Sequence, residues 1–266
     1  MLTVVGERIN TSRKNVNEAV ASRNAAYIVK DVNKQIEAGA TYIDVNAGAR
    51  IGHEMEDMQW LLKTINEITS VPLCLDSPDP AVLEEAFQMV KDTPMINSIS
   101  LENERYNVML PFLTGKDCKV VALCMDDSGM PDSADKVVDR AGRLVKGLET
   151  VGIKRENIYI DPMIQPISTD FKKGIMAIES VRRIMEENPG VHTICGLSNI
   201  SYGLPQRKTI NRTFLALLMA AGLDGAIVDP LDNKIMTTLK TALMLLGKDD
   251  YCLNYIQSVR SGQIVD

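Results

Sequence analysis

Short apolar runs alternate with longer stretches in which apolar residues recur every three or four positions, from one end of the chain to the other. Runs of the first kind read as buried parallel strands, and stretches of the second kind as amphipathic helices packed against them. The runs are Leu2–Val5, Tyr42–Val45, Pro72–Leu75, Met95–Ile96, Lys119–Cys124, Ile158–Ile160, Thr193–Leu197 and Gly225–Val228. Helical spacing covers Ile28, Val32 and Ile36, stopped by Gly39, and then residues 54–68. It resumes after Pro80, a residue suited to a first helical turn, and again over 104–113 and Ala134–Leu148. The last helices cover 172–187, ended by Asn188-Pro189-Gly190, then Ile210 to near Gly222, and 234–246. Tyr251–Val259 adds a short helix.

Eight strand–helix units without a Gly/Ser linker predict a single-domain (β/α)8 TIM barrel over residues 1–266. A doubly wound sheet fits less well, because no G-x-G-x-x-G follows the first strand. The polar stretch 10–24 is longer than an ordinary connection and predicts a mobile rim loop.

In such a barrel the C-terminal ends of all strands share one face, where the chemistry is done. Nearly every predicted strand ends in polar residues: Glu7 with Asn10, Asp44 with Asn46, Asp76, Asn97, Asp126 with Asp127, Asp161, Asn199 and Asp229. Turn formation enriches Asp and Asn after strands, but it does not account for eight ends at once. The predicted rim is rich in acceptors, poor in cations and free of a Gly-rich phosphate loop. Buried acceptors need donors. The ligand that suits them is a neutral, flat, donor-rich heterocycle such as a 2-amino-4-oxo pteridine. Its ring N–H and exocyclic NH2 meet a carboxylate side by side, as a guanidinium does. Asp161, fixed by Pro162, suits that pair, with Asp76 and Asn97 on the remaining edge. A divalent metal held by several Asp is the competing reading, and it needs tighter clustering than strand spacing provides.

Composition narrows the class. At 266 residues and 45% hydrophobic the chain has the size of one barrel, and a net charge of −6 argues against nucleic acid as a partner. No apolar stretch is long enough to cross a membrane, and Met1 runs into a strand without a charged leader, so a cytoplasmic protein is expected. The five cysteines form no C-x-x-C pair and read as reduced thiols. His53 and His192 fall in different elements, which argues against a zinc site; no bound metal is expected.

Seven motifs in order carry a resemblance: G-E-R-I-N at 6–10, D-V-N-A-G at 44–48, L-C-L-D-S at 73–77, M-I-N-S at 95–98, Y-I-D-P at 159–162, G-L-S-N-I-S at 196–201 and I-N-R-T-F at 210–214. Together they resemble the pterin-binding methyltransferases, above all the methyltetrahydrofolate:corrinoid (iron-sulfur) protein methyltransferases. The likeness covers essentially the whole chain. It implies the same barrel with the pterin across its mouth, a methyl group exchanged between N5 of tetrahydrofolate and a corrinoid (cobalamin) cobalt, and a homodimer. It implies pterin contacts from Asp76, Asn97 and Asp161, a catalytic Asn199 near N5, and a loop contact from Arg207. Glu7, Asn10, Asp44, Asn46, Ser198 and Tyr202 are further candidates for rim contacts. Position 202 departs from the acetogenic enzymes, which usually carry Gln. His53 in G-H-E-M-E and His192 in V-H-T-I-C do not make the D-x-H-x-x-G of corrinoid modules, so the corrinoid is expected on a separate protein. Apolar residues of the seventh and eighth helices, Leu215, Met219, Leu239 and Leu243, are candidate dimer contacts. Two other readings stay open. Dihydropteroate synthases share the barrel but place a Lys where this chain has Ser198-Asn199-Ile200. The third reading is a folate-binding subunit without activity.

Overall fold

The computed structural model describes residues 2–264. Its elements in order are β1 (Thr3–Asn10), α1 (Lys14–Ala21), α2 (Ala25–Glu37), β2 (Tyr42–Asn46), α3 (Glu54–Asn66), β3 (Leu73–Asp76), α4 (Pro80–Met89), β4 (Met95–Leu101), α5 (Asn103–Leu113) and β5 (Lys119–Asp126). There follow α6 (Ala134–Thr150), β6 (Ile158–Asp161), α7 (Lys173–Glu187), β7 (His192–Thr193), α8 (Arg207–Ala220), β8 (Gly225–Val228), α9 (Asn233–Leu245) and α10 (Leu253–Arg260). All strand pairs are parallel, in the order β7-β6-β5-β4-β3-β2-β1-β8. A single parallel bridge between Gly196 and Ile227, with Ile227 N–H donating to the Cys195 carbonyl at 3.0 Å, closes the ring between β7 and β8. The expected (β/α)8 barrel is therefore what the chain forms.

The helices sit where the spacing of apolar residues puts them. In α6, Val137, Val138, Ala141, Leu144, Val145 and Leu148 are buried at three- and four-residue intervals, facing the strands. Gly39 ends α2 with φ +105°, a conformation only glycine adopts without strain. Gly6 has a different reason. A Cβ there would run into the Gln35 side chain of α2, whose Oε1 accepts from the Arg8 N–H at 3.3 Å.

Strand alternation sorts the interior. Val5, Tyr42, Cys74, Met95, Val121, Tyr159 and Ile194 form an apolar cluster inside the barrel, apart from the two larger clusters under the helices. Two residues further along the strands come Glu7, Asp44, Asp76, Asn97, Leu123 and Asp161, pointing the same way at the C-terminal mouth. The opposite end is closed by Lys119, Tyr159, Thr3 and His192. Lys119 Nζ donates to the Tyr159 hydroxyl at 3.2 Å, which lies 3.1 Å from Thr3 Oγ1. His192 stacks on Tyr159 at 4.7 Å and binds Asp224 at 2.6 Å.

Three expectations change. The stretch 10–24 is not a mobile loop but carries α1, because Val16, Ala19 and Val20 bury one face of a short helix. The seventh strand is His192–Thr193 rather than Thr193–Leu197; Ile194 still bonds to Ile160, but Leu197–Ser201 has already turned into a 3-10 helix. Leu215, Met219 and Leu239 are buried against the barrel, so these three are core and not dimer contacts, while Leu243 is half-buried beside them.

Candidate functional site

The predicted rim divides into groups that already have protein partners and groups that do not. Asp126 accepts from Arg140 at 2.6 Å and from the Ser128 hydroxyl at 2.6 Å, so it braces the turn after β5. Asp229 takes Arg8 at 2.8 Å and Arg13 at 3.2 Å. Asn10 accepts the Ser12 N–H at 2.9 Å, and Asn46 accepts the Gly48 N–H at 3.0 Å while donating to Asp76 at 2.9 Å. The rim is also less poor in cations than its sequence suggests. Arg8, Arg13 and Arg105 all lie there, each committed to acids or backbone carbonyls.

The second set is different. Asp44 is 2% exposed, and its Oδ1 is buried with no hydrogen-bond partner. Burial, and then the neighbouring Asp76, hold its carboxyl well above the usual carboxylate range. Burial likewise raises Asp76, against the pull of Asn46 and Arg105. Asp161, buried and held at Oδ1 by the Met163 N–H at 2.7 Å, is pushed up to about 7 by desolvation. Glu7 also rises to about 7, first through burial and then through Asp229, with Arg13 and Arg8 opposing. These are acids placed where nothing in the protein donates enough to them.

Asp76 and Asn97 are partners in register on β3 and β4 and line one cavity of about 380 Å³ with Ser98, Arg105 and Leu123. Arg105 anchors its outer wall, donating to the Ser98 carbonyl at 2.6 Å and the Ser77 carbonyl at 3.0 Å. Leu123 supplies an apolar wall and pairs in register with Asp161 on β6. A second cavity, also about 380 Å³, lies between β1, β8 and α8; Glu7, Ser198, Asn211, Lys208 and Asp229 line it.

Asn199 lies on the 3-10 turn Leu197–Ser201 that follows β7, and it is exposed. Arg207 holds that turn from below, donating to the Ser198 carbonyl at 2.8 Å and to Ser201 Oγ at 3.1 Å. Its guanidinium also lies 6.0 Å from the ring of Tyr202, which is 66% exposed. Asp76 and Asn97 thus share one cavity and Glu7 and Ser198 the other. Asp161 adjoins the first through Leu123, and Asn199, Tyr202 and Arg207 line neither. Arg105, Lys208 and Asn211 were not singled out from sequence. Arg105 grips backbone carbonyls, which leave no trace in a motif, and Asn211 lies within I-N-R-T-F but reads there as a helix residue. Among the described residues, no three or more His, Cys, Asp or Glu side chains come together as a cation site.

The family described as pterin binding enzyme matches residues 6–229. The chain belongs to that family. Over 265 residues it is 34% identical to a methylcorrinoid:tetrahydrofolate methyltransferase of Eubacterium limosum, spanning 99% of this chain and 98% of that one. It is 30% identical over 238 residues to methionine synthase of Mycobacterium tuberculosis, covering 85% of this chain and 20% of that longer protein. Among solved structures, dihydropteroate synthase of Xanthomonas albilineans superposes with a TM-score of 0.71 at 17% identity, over 94% of this chain and 93% of that one. At that identity the likeness concerns the barrel alone.

Proposed function

We propose that the protein is a methyltransferase that moves a methyl group between N5 of tetrahydrofolate and the cobalt of a corrinoid carried by a separate protein. The observation that supports this most is the set of donor-starved acids at the mouth, with an exposed Asn199 on the turn that follows β7. Asp161 receives the ring N–H and exocyclic amino group of the pterin, and Asp76 and Asn97 read the adjoining edge. The reading draws also on the likeness to the Eubacterium limosum protein, whose name carries both substrates.

The corrinoid, as Co(I), supplies the nucleophile; the difficulty lies in the folate. Methyl loss from a neutral N5 expels a poor anion, so N5 must gain a proton before or during transfer. The Asn199 amide donates a hydrogen bond or turns its oxygen to a protonated N5, so it follows the change of charge. Arg207, bonded to Ser198 and Ser201, fixes the turn that aims it. Both directions of transfer cross one transition state, so the same residues serve either. A dihydropteroate synthase needs a pyrophosphate site and a Lys at the seventh strand. The turn here is Ser198-Asn199-Ile200. Incubation with 5-methyltetrahydrofolate and free cob(I)alamin should yield methylcobalamin and tetrahydrofolate. A protein that binds the folate tightly yet transfers nothing would be a binding subunit, and the proposal would fall.

A further inference from the structure

The reaction proposed above requires a proton at N5, and Asn199, an amide, is no acid at neutral pH. The second cavity holds a group able to do so. Glu7 is the inward residue of β1, and its carboxyl makes no hydrogen bond or ion pair within the protein. It faces a cavity of about 380 Å³ whose opposite side includes Ser198, the residue before Asn199. The Oδ1 of Asn211, on the same wall, is buried and has no partner, so a donor within the cavity is needed there. A cavity of this size, lined by polar groups on several sides, has room for bridging water.

We propose that Glu7 is the proton reservoir for the folate N5, exchanging its proton along water in the cavity between β1, β8 and α8. This rests on the methyltransferase reading. In the methyl-donating direction the Glu7 carboxylic acid releases a proton through water to N5. The N5–CH3 bond breaks with its electron pair returning to nitrogen, and the Co(I) electron pair forms the new Co–CH3 bond. Glu7 is left as a carboxylate and is reprotonated from solvent. In the reverse direction it takes up the proton released when N5 is methylated.

The surroundings suit the task. Arg8 on the same strand is held by Asp31 of α2 and by Asp229, and Arg13 ahead of α1 shares Asp229. Lys208 of α8 is turned to Asp232 at 3.4 Å, and Asp44 of β2 adds a further acid on the other side. The nearby cations are therefore partly neutralised, and burial with Asp229 raises the Glu7 carboxyl to about 7, where acid and base forms coexist near neutrality. Asp161 titrates in the same range, but it acts as an acceptor for the pterin; its protonation weakens binding, whereas deprotonation of Glu7 slows transfer.

The test is single-turnover methyl transfer from 5-methyltetrahydrofolate to free cob(I)alamin, followed across pH with saturating folate. In the wild type the rate should fall about tenfold per pH unit above about 7. Glu7→Gln should be ~100-fold slower at about pH 6 and should lack that falling limb. Glu7→Asp should restore the limb, and folate dissociation constants should stay within about twofold of wild type in both. A Glu7→Gln enzyme with the wild-type rate and limb overturns the inference, as does one that only loses folate affinity. A wild type that transfers no methyl overturns the methyltransferase reading itself, and this inference with it.

Discussion

The two ends of the barrel are both polar, and they handle polarity in opposite ways. At the N-terminal end each named group answers another: Lys119 and Thr3 meet the Tyr159 hydroxyl, His192 stacks on that ring, and Asp224 binds His192. At the mouth, Asp44 keeps an unpartnered oxygen, Asp161 has one backbone donor, and Glu7 has none. Burial raises all three acids. The same fold thus closes one end with its own hydrogen bonds and leaves acceptors unmet at the other, which is where the proposed function puts a donor-rich ligand. Unmet buried acceptors cost stability, and the mouth carries that cost at Asp44.

The sharpest way to break this comparison is at Asn199. A donor used chiefly in the transition state should affect turnover more than binding. Asn199→Ala should lower kcat by ~10²–10³ in both directions, with a small change in the folate KM. A variant with raised KM and intact kcat would make Asn199 a binding residue.

Asp161 comes next. Asp161→Ala should weaken folate binding by ~2–4 kcal/mol while the barrel still folds. The wild type should also show a pH signature. The Asp161 carboxyl is raised to about 7 in the free protein, so the ionised acceptor exists above that pH and is lost as pH falls through it. Folate affinity should be level at high pH and drop about tenfold per unit below about 7, and calorimetry should find proton release on binding. An affinity independent of pH would remove Asp161 from the pterin edge.

The smallest effect belongs to the other end. Lys119→Met removes the donor to Tyr159 and the contacts to the rings of Tyr42 and Tyr159, at 5.2 and 5.3 Å. Denaturant unfolding should show a loss of about 1–2 kcal/mol, while methyl-transfer kcat stays at the wild-type value. A change in kcat without a loss of stability would mean that the two ends are not separate in function.

Much of this was legible in the sequence, for a physical reason. Helix and strand periods differ, and eight alternations of them leave few folds. Asp76, Asn97 and Asp161 could be placed at the mouth because each ends an apolar run. The pairing at the rim could not be read. Arg8 and Asp229 meet across 221 residues, and Arg105 holds carbonyls, so neither advertises itself locally. Exposed cations and engaged cations look alike in a sequence, which is why the rim read as acidic and bare. The helix α1 is not legible in the sequence, because three buried residues in a polar stretch are a weak signal. β7 was overextended because Ile194, Cys195 and Leu197 are apolar for being buried, whether or not the backbone stays in the sheet.

The thin closure of the barrel has its own meaning. Seven joints of the ring are strand ladders, and the eighth is one bridge, from Gly196 to Ile227. A hoop with one light clasp yields first at the clasp, since local opening follows the fewest backbone bonds to be broken. Here the clasp sits three residues ahead of Asn199. The turn that carries Asn199 is thus tied in by Arg207 on one side and by the lightest joint of the ring on the other.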